Sequence, residues 1–159
     1  MIEHPIKPVY NQHSKVLILG SFPSVKSREE GFFYGHPQNR FWKVLSAIYQ
    51  VKIPETIEEK KTFLLEHQIA VWDVIQSCHI VGSSDSSIKN VIPNDLNRIL
   101  QQAAIEKIFV NGKKAQQLYE KYIQPVIGRE AIYLPSTSPA NAAWKLDKLV
   151  KVWGNELKE

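Results

Sequence analysis

The chain has 159 residues, 43% of them hydrophobic and 23% charged, with a net charge of +4. That is the profile of one globular domain spanning residues 1–159 with a real core, and it excludes collagen, coiled coil and intrinsic disorder. No apolar run reaches the roughly 18 residues that cross a bilayer, Met1-Ile2-Glu3-His4-Pro5 carries no signal-like region, and a lone cysteine, Cys78, makes no internal disulfide; a cytoplasmic, monomeric protein without membrane contact is expected. The mild positive charge permits nucleic-acid binding without requiring it.

The first element is the branched apolar run Lys15-Val16-Leu17-Ile18-Leu19-Gly20, the pattern of a buried parallel strand. Residues 39–50 carry Phe41, Trp42, Val44, Leu45 and Ile48 at helical spacing. A second helix is predicted over 58–68, with Phe63, Leu64 and Leu65 on one side, and a second strand over 69–74. A short helix over 95–104, a strand over 107–112, a helix over 113–122 and a strand over 131–134 follow. Ser138-Pro139 then reads as a helix start, Ser as N-cap and Pro at the first helical position, with Ala143, Leu146, Val150 and Trp153 as the apolar face. Four short buried strands alternating with helices predict an α/β fold, a three-layer sandwich around a four-stranded parallel sheet.

In such a sheet the functional loops lie beyond the carboxyl ends of the strands. Here these are residues 21–39, 73–88, 111–114 and 135–141. The first holds Phe22, Phe32, Phe33 and Tyr34, aromatics that either stack on a nucleobase or fold under the loop as a satellite core. The hydroxyl-rich Ser136-Thr137-Ser138 is either a phosphate site or an ordinary cap. Residues 82–88 form either a flexible surface loop or a DNA-backbone contact through Ser86 and Ser87. His36 with Asp73 or Asp85 offers an acid–base pair, whereas His4, His13, His67 and His79 are expected to be solvated or structural. No GxxxxGK[ST], GxGxxG, GxSxG or HExxH pattern and no metal-ligand spacing is present, so nucleotide triphosphates and dinucleotides are disfavoured and no metal is expected.

Gly20-Ser21-Phe22-Pro23-Ser24, Tyr34-Gly35-His36-Pro37-Gln38-Asn39-Arg40-Phe41-Trp42 and residues 134–141 together resemble the uracil-DNA glycosylase superfamily, and within it most the hypoxanthine-DNA (DNA-deoxyinosine) glycosylases. The His-Pro-x-Asn-Arg-Phe-Trp string is shared with the mismatch-specific uracil glycosylases; Gly-Ser-Phe-Pro-Ser and Ser-Pro-Ala-Asn favour the hypoxanthine branch. The resemblance implies a cofactor-free hydrolase of the N-glycosidic bond of deaminated bases in DNA, leaving an abasic site with no lyase step. Where better-known branches hold an Asp or Asn for the attacking water, this chain has Phe22, and the resemblance moves the catalytic role to Asn39. Read from the sequence alone, Asn39 is equally the N-cap of a helix beginning at Arg40.

The resemblance further implies base contacts from Phe22, Tyr34 (stacking), Gln38, Asp73 and Asn111, and DNA contacts from Ser24, Ser86, Ser87, Ser136, Ser138, Ala140 and Asn141. Ala140 stands where relatives carry a Leu wedge, so the wedge is expected to be weak. Loss of the usual first-motif polar residue keeps open an inactive nucleic-acid-binding relative of the same fold, and hydrolysis of a free nucleoside is a third option.

Overall fold

A computed structural model describes residues 1–158. In chain order it contains β1 (Ile2–Glu3), β2 (Val16–Gly20), α1 (Val25–Glu30), α2 (Phe41–Tyr49), α3 (Ile57–Glu66), β3 (Ile69–Asp73) and β4 (Ile75–His79). Then come β5 (Lys89–Pro93), α4 (Asn97–Leu100), β6 (Lys107–Asn111), α5 (Lys113–Leu118), α6 (Gln124–Ile127), β7 (Ile132–Leu134) and α7 (Leu146–Leu157). The four expected strands form one parallel sheet in the order β3-β2-β6-β7, flanked by helices. Leu17, Ile18 and Leu19 have no exposed surface, because a central parallel strand is covered on both faces. The α/β expectation holds. No helix among the described residues is long and apolar enough to cross a membrane.

The register sets Gly20 beside Asp73 and Leu19 beside Val110, so β2, β3 and β6 end together at one edge. Buried Asn94 secures the exit from β3: its Nδ2 donates to the carbonyls of Asp73 (2.9 Å) and Ile75 (3.1 Å). A second sheet, antiparallel and ordered β1-β4-β5, has no counterpart in the sequence prediction. Its strands are short and partly exposed, so they carry neither a long apolar run nor clean alternation.

Other boundaries shift for physical reasons. The helix predicted over 113–122 passes into a π-turn at Tyr119–Ile123 before α6, where Pro125 lacks the N–H an α ladder needs. The helix predicted over 95–104 shortens to Asn97–Leu100. The last helix does not begin at Ser138-Pro139. It begins at Leu146, after Lys145 in extended backbone, and residues 138–144 form turns. Its buried residues are Leu149 and Trp153, while Ala143 and Leu146 are exposed.

Candidate active site

Between β2 and β6 the chain leaves the sheet in opposite directions, which opens a crevice at the carboxyl edge. A cleft of about 320 Å³ lies there, lined from all four loop groups. Its floor is tight. A Cβ on Gly20 would lie 2.5 Å from Asp73 Oδ1 and 3.0 Å from Tyr34 Oη, so only glycine lets both groups close over the strand end.

One wall is residues 20–42. Ser24 lines the cleft and caps α1, its Oγ accepting from the Ser27 N–H at 3.1 Å. Phe32 and Phe33 are 4% and 2% exposed and pack around Trp42, so these two rings are the satellite core. Phe22 stays half-buried on the cleft wall, with the Arg28 guanidinium 5.5 Å from its ring centre. Tyr34 stands on the same wall. In left-handed backbone (φ +54°), it lays its ring on Phe41 at 3.9 Å and 11°, so one face is already covered. What it offers the cleft is a buried hydroxyl without a hydrogen-bond partner. Burial first, then the charge of Asp73, holds this phenol far above its ordinary range; the nearby Asn111 amide opposes the shift.

Asn39 does two things. Its Oδ1 accepts the Phe41 N–H at 2.9 Å just ahead of α2, whose N-cap position falls one residue later than expected, on Arg40, and the half-buried residue also lines the cleft. Its Nδ2 hydrogens and a second lone pair remain for a ligand or water. Gln38 stands outside the cleft lining: it is exposed, and its N–H donates to His36 Nδ1 at 3.1 Å.

Asp73 is 4% exposed and forms part of the floor. Its partner is neither of the expected pairings. His36 lines the cleft, but the imidazole on Asp73 is that of His4, Nε2 to Oδ2 at 2.7 Å, with both side chains buried. The 69-residue separation leaves no local signal for this pair. Of the two expectations for His4, solvated or structural, the structure gives the second.

The opposite wall is residues 134–144. Asn111 lines the cleft, but its amide is largely spent holding this wall: Nδ2 donates to Thr137 Oγ1 and Oδ1 accepts the Thr137 N–H, both at 3.1 Å. Gly112 (φ +97°) lets Ser136 approach, since a Cβ there would meet Ser136 Cβ at 3.0 Å. Ser136 and Ser138 line the cleft, yet each closes a turn, Ser136 Oγ accepting from the Ser138 N–H and Ser138 Oγ from the Ala140 N–H. Asn141 donates to the Ser136 carbonyl at 3.0 Å, and Ala140 is exposed at the tip.

Arg40 holds this wall across the cleft. Its guanidinium donates to the carbonyls of Trp144, Ser138 (2.8 Å), Asn141 (3.2 Å) and Thr137 (3.4 Å). Its place inside the motif string is the one signal in the sequence for this clasp.

Residues 82–88 are no loose loop. Arg28 donates to the Gly82 carbonyl (2.7 Å) and Ser83 Oγ accepts the Val25 N–H (2.8 Å), seating a 3-10 turn (Asp85–Ser87) on α1. Ser83 and Asp85 line the cleft; Ser86 and Ser87 do not, Ser87 bonding Val81 and Ser84 within the loop. Desolvation pushes the Asp85 carboxyl up, against a hydrogen bond from Ser21 and the charge of Lys114. Among the described residues no cluster of three or more His, Cys, Asp or Glu has metal-binding geometry.

Comparison with known proteins settles the lineage. The family model of the uracil DNA glycosylase superfamily matches residues 7–158. The chain belongs to the uracil DNA glycosylase superfamily. It is 34% identical over 143 residues to a protein named hypoxanthine DNA glycosylase from Methanosarcina acetivorans, covering 89% of each chain. A protein of the same name from Methanosarcina barkeri is 31% identical over 136 residues, covering 84% of this chain and 85% of the relative. The solution NMR structure of a Methanosarcina acetivorans chain assigned as a uracil DNA glycosylase superposes with a TM-score of 0.81 at 29% identity over the whole of both chains. The protein is thus a DNA glycosylase, a hydrolase of the bond between base and deoxyribose that takes DNA as substrate. The cleft brings together Phe22, Tyr34, Asn39, Asp73, Asn111, Ser24, Ser136, Ser138 and Ala140; Gln38, Ser86, Ser87 and Asn141 stand outside the lining.

Proposed function

We propose that this glycosylase releases hypoxanthine from deoxyinosine, and uracil from deoxyuridine as a second substrate, leaving an abasic site in an uncut strand. The observation that carries the proposal is one cleft in which the Asn39 amide and the Asp73 carboxylate face the same volume between Phe22 and the hydroxyl-rich wall. The relatives named hypoxanthine DNA glycosylase support it. The target nucleotide is swung out of the duplex, at a cost of a few kcal/mol that is smallest at a mispair. Phe22 flanks the base, Asp73 reads its edge, and Asn111 holds the wall that closes over it.

Asn39 orients the water. A neutral amide is a poor base, and that suffices if the C1′–N bond breaks largely first, through an oxocarbenium-like state. The bonding pair leaves with the base, water oxygen joins C1′, and one water proton ends on the departing base. No lysine lines the cleft, so no amine stands ready to form a Schiff base with the abasic sugar. Ser24, Ser136, Ser138, Ala140 and Asn141 meet the strand at the cleft rim, and Ser86 and Ser87 meet it from the neighbouring turn.

The test is single-turnover base release from duplexes carrying one deoxyinosine or one deoxyuridine, with and without alkali, and with borohydride present. Alkali-dependent strand breaks are expected. Tight binding without base release would instead make this chain a nucleic-acid-binding relative, and a borohydride-trapped adduct would overturn the monofunctional assignment.

A further inference from the structure

We propose that His4 is a positioning residue for base recognition: it holds Asp73 so that Oδ1, beside the Tyr34 hydroxyl, forms an acceptor–donor pair matched to a lactam edge, N–H next to C=O. The inference rests on the cleft being a base-binding site.

His4 reaches the site because the N-terminal segment is pinned along the sheets. The His4 N–H donates to the Gln76 carbonyl at 2.7 Å, and Val9 bridges Val71. Its tautomer follows from its two neighbours. Nδ1 accepts the Ile6 backbone N–H at 3.2 Å, so that nitrogen carries no proton. The proton is on Nε2, which donates to Asp73 Oδ2 at 2.7 Å. The ring is neutral in this arrangement, Oδ2 is engaged, and the carboxylate cannot turn over. The ring also meets Phe22 edge-on at 5.8 Å and Phe33 at 6.0 Å, so it braces the aromatic wall as well.

That leaves Asp73 Oδ1 on the floor above Gly20, and Tyr34 Oη on the same spot: both crowd the position of a Gly20 Cβ, at 2.5 and 3.0 Å. Tyr34 Oη is a buried donor without a partner. A buried hydroxyl left unpaired is costly, and a ligand carbonyl relieves that cost. Beside it the carboxylate oxygen can only accept.

Deamination turns an amino-bearing edge into this pattern. In hypoxanthine and uracil a ring N–H stands next to a carbonyl. In adenine and cytosine the ring nitrogen has a lone pair and its neighbour is an amino group, which sets acceptor against acceptor and donor against donor. One fixed pair of groups therefore accepts both deaminated bases and rejects both parents.

The experiment compares wild type, Tyr34→Phe, His4→Phe, His4→Gln, Asp73→Asn and the double variant His4→Phe/Asp73→Asn. It measures single-turnover release of hypoxanthine and uracil, duplex affinity and thermal unfolding. Tyr34→Phe and His4→Phe are each expected to lose about 10- to 100-fold in rate on both bases. Tyr34→Phe removes only a hydroxyl without a partner, so its fold is safe. His4→Gln, whose amide can still donate to Asp73, should recover much of the loss.

In Asp73→Asn, His4 should hold the amide oxygen and turn the NH2 toward the base, the wrong polarity. Removing the His4 donor frees the amide to rotate, so the double variant should be faster than Asp73→Asn alone, a rescue that a merely structural His4 would not give. The inference is overturned if Tyr34→Phe and His4→Phe release both bases at the wild-type rate, or if the double variant is slower than Asp73→Asn. A wild type that releases neither base would bring down the base-binding reading, and this inference with it.

Discussion

The two walls of the cleft face each other across a few side chains and are held by different forces. Residues 20–42 stand on Phe32, Phe33, Phe41 and Trp42, four nearly buried rings that pack on one another. Residues 135–144 bury Thr137 and Pro135 and little else. They are held by hydrogen bonds from Arg40 and Asn111. Apolar burial is a sum over many weak contacts, so losing one atom costs little. A wall that hangs four of its carbonyls on one planar guanidinium, beside the Asn111 bonds and the Trp153 Nε1–H donated to Pro135, depends on the geometry of that group. The aromatic wall is therefore the fixed reference against which the chemistry is set, and the hydroxyl wall is the part a single substitution can release.

The largest expected effect is on the aromatic side. Asn39→Ala should slow base release by about 10²–10⁴-fold, the range for a positioned proton-transfer or water-orienting group. It also removes the acceptor for the Phe41 N–H, a loss of about 1 kcal/mol of stability. Asn39→Ser keeps a capping oxygen but not the amide, so it should recover stability while staying slow. Single-turnover rates beside unfolding midpoints separate the two roles; equal recovery of both would make Asn39 a cap and nothing more.

The difference between the walls also decides how much of the site was legible. The parallel strands were, because burial on both faces writes a continuous apolar run. The last helix begins later than its sequence pattern predicts, for a reason the hydroxyl wall supplies. Ser138-Pro139 has the chemistry of a helix start, but the carbonyls of Ser138 and Asn141, which a helix would need for its own ladder, are taken by Arg40. The Tyr34 ring is what the sequence displays; that one of its faces lies on Phe41 and that its hydroxyl has no hydrogen-bond partner are set by the fold. His4 had no signal at all, since 69 residues separate it from the carboxylate it holds. Asn39 is legible through its motif, and in the fold it both accepts the Phe41 N–H and lines the cleft.

Next in size is the clasp itself. Arg40→Lys keeps the charge but offers one compact ammonium for four carbonyls, so two or more acceptors lose their partner. A loss of about 2–3 kcal/mol is expected. It should be confined to one region, with residues 135–144 gaining proteolytic sensitivity and faster amide exchange while α2 stays protected. A uniform loss of protection over the whole chain would contradict the contrast between the walls.

A smaller effect lies at the tip. Ala140 is exposed and buries almost nothing when it meets the gap left by an extruded base. A full apolar side chain would contribute up to about 1.5–3 kcal/mol there. The wild type should therefore cleave single-stranded and mispaired lesions faster than the same lesion in its best pair. Ala140→Leu should narrow that gap by about tenfold or less. Equal wild-type rates in all three contexts would mean that the wedge comes from elsewhere, with exposed Val81 the first place to look.

The smallest effect concerns the contact between the aromatic wall and the 3-10 turn, where the Ser21 hydroxyl donates to Asp85 Oδ1 at 3.4 Å. Desolvation raises this carboxyl above its ordinary value, and the Ser21 bond and Lys114 only partly offset it. A carboxyl whose folded pKa lies above its unfolded pKa contributes stability that is fully present below the unfolded value, near pH ~4, and is lost as pH rises through the folded one. At neutral pH Asp85 is therefore a mild liability, and Asp85→Asn removes the penalty. The variant should melt slightly higher than wild type at neutral pH, with the advantage shrinking toward the acid end, where both side chains are uncharged. It should also bind duplex DNA somewhat more tightly, because a negative charge on the cleft rim repels the phosphates. Unfolding midpoints taken across the acid range, with salt-dependent duplex affinity at neutral pH, test both. An advantage that grows on acidification would show that the carboxylate is stabilising, with Ser21 and Lys114 outweighing its desolvation.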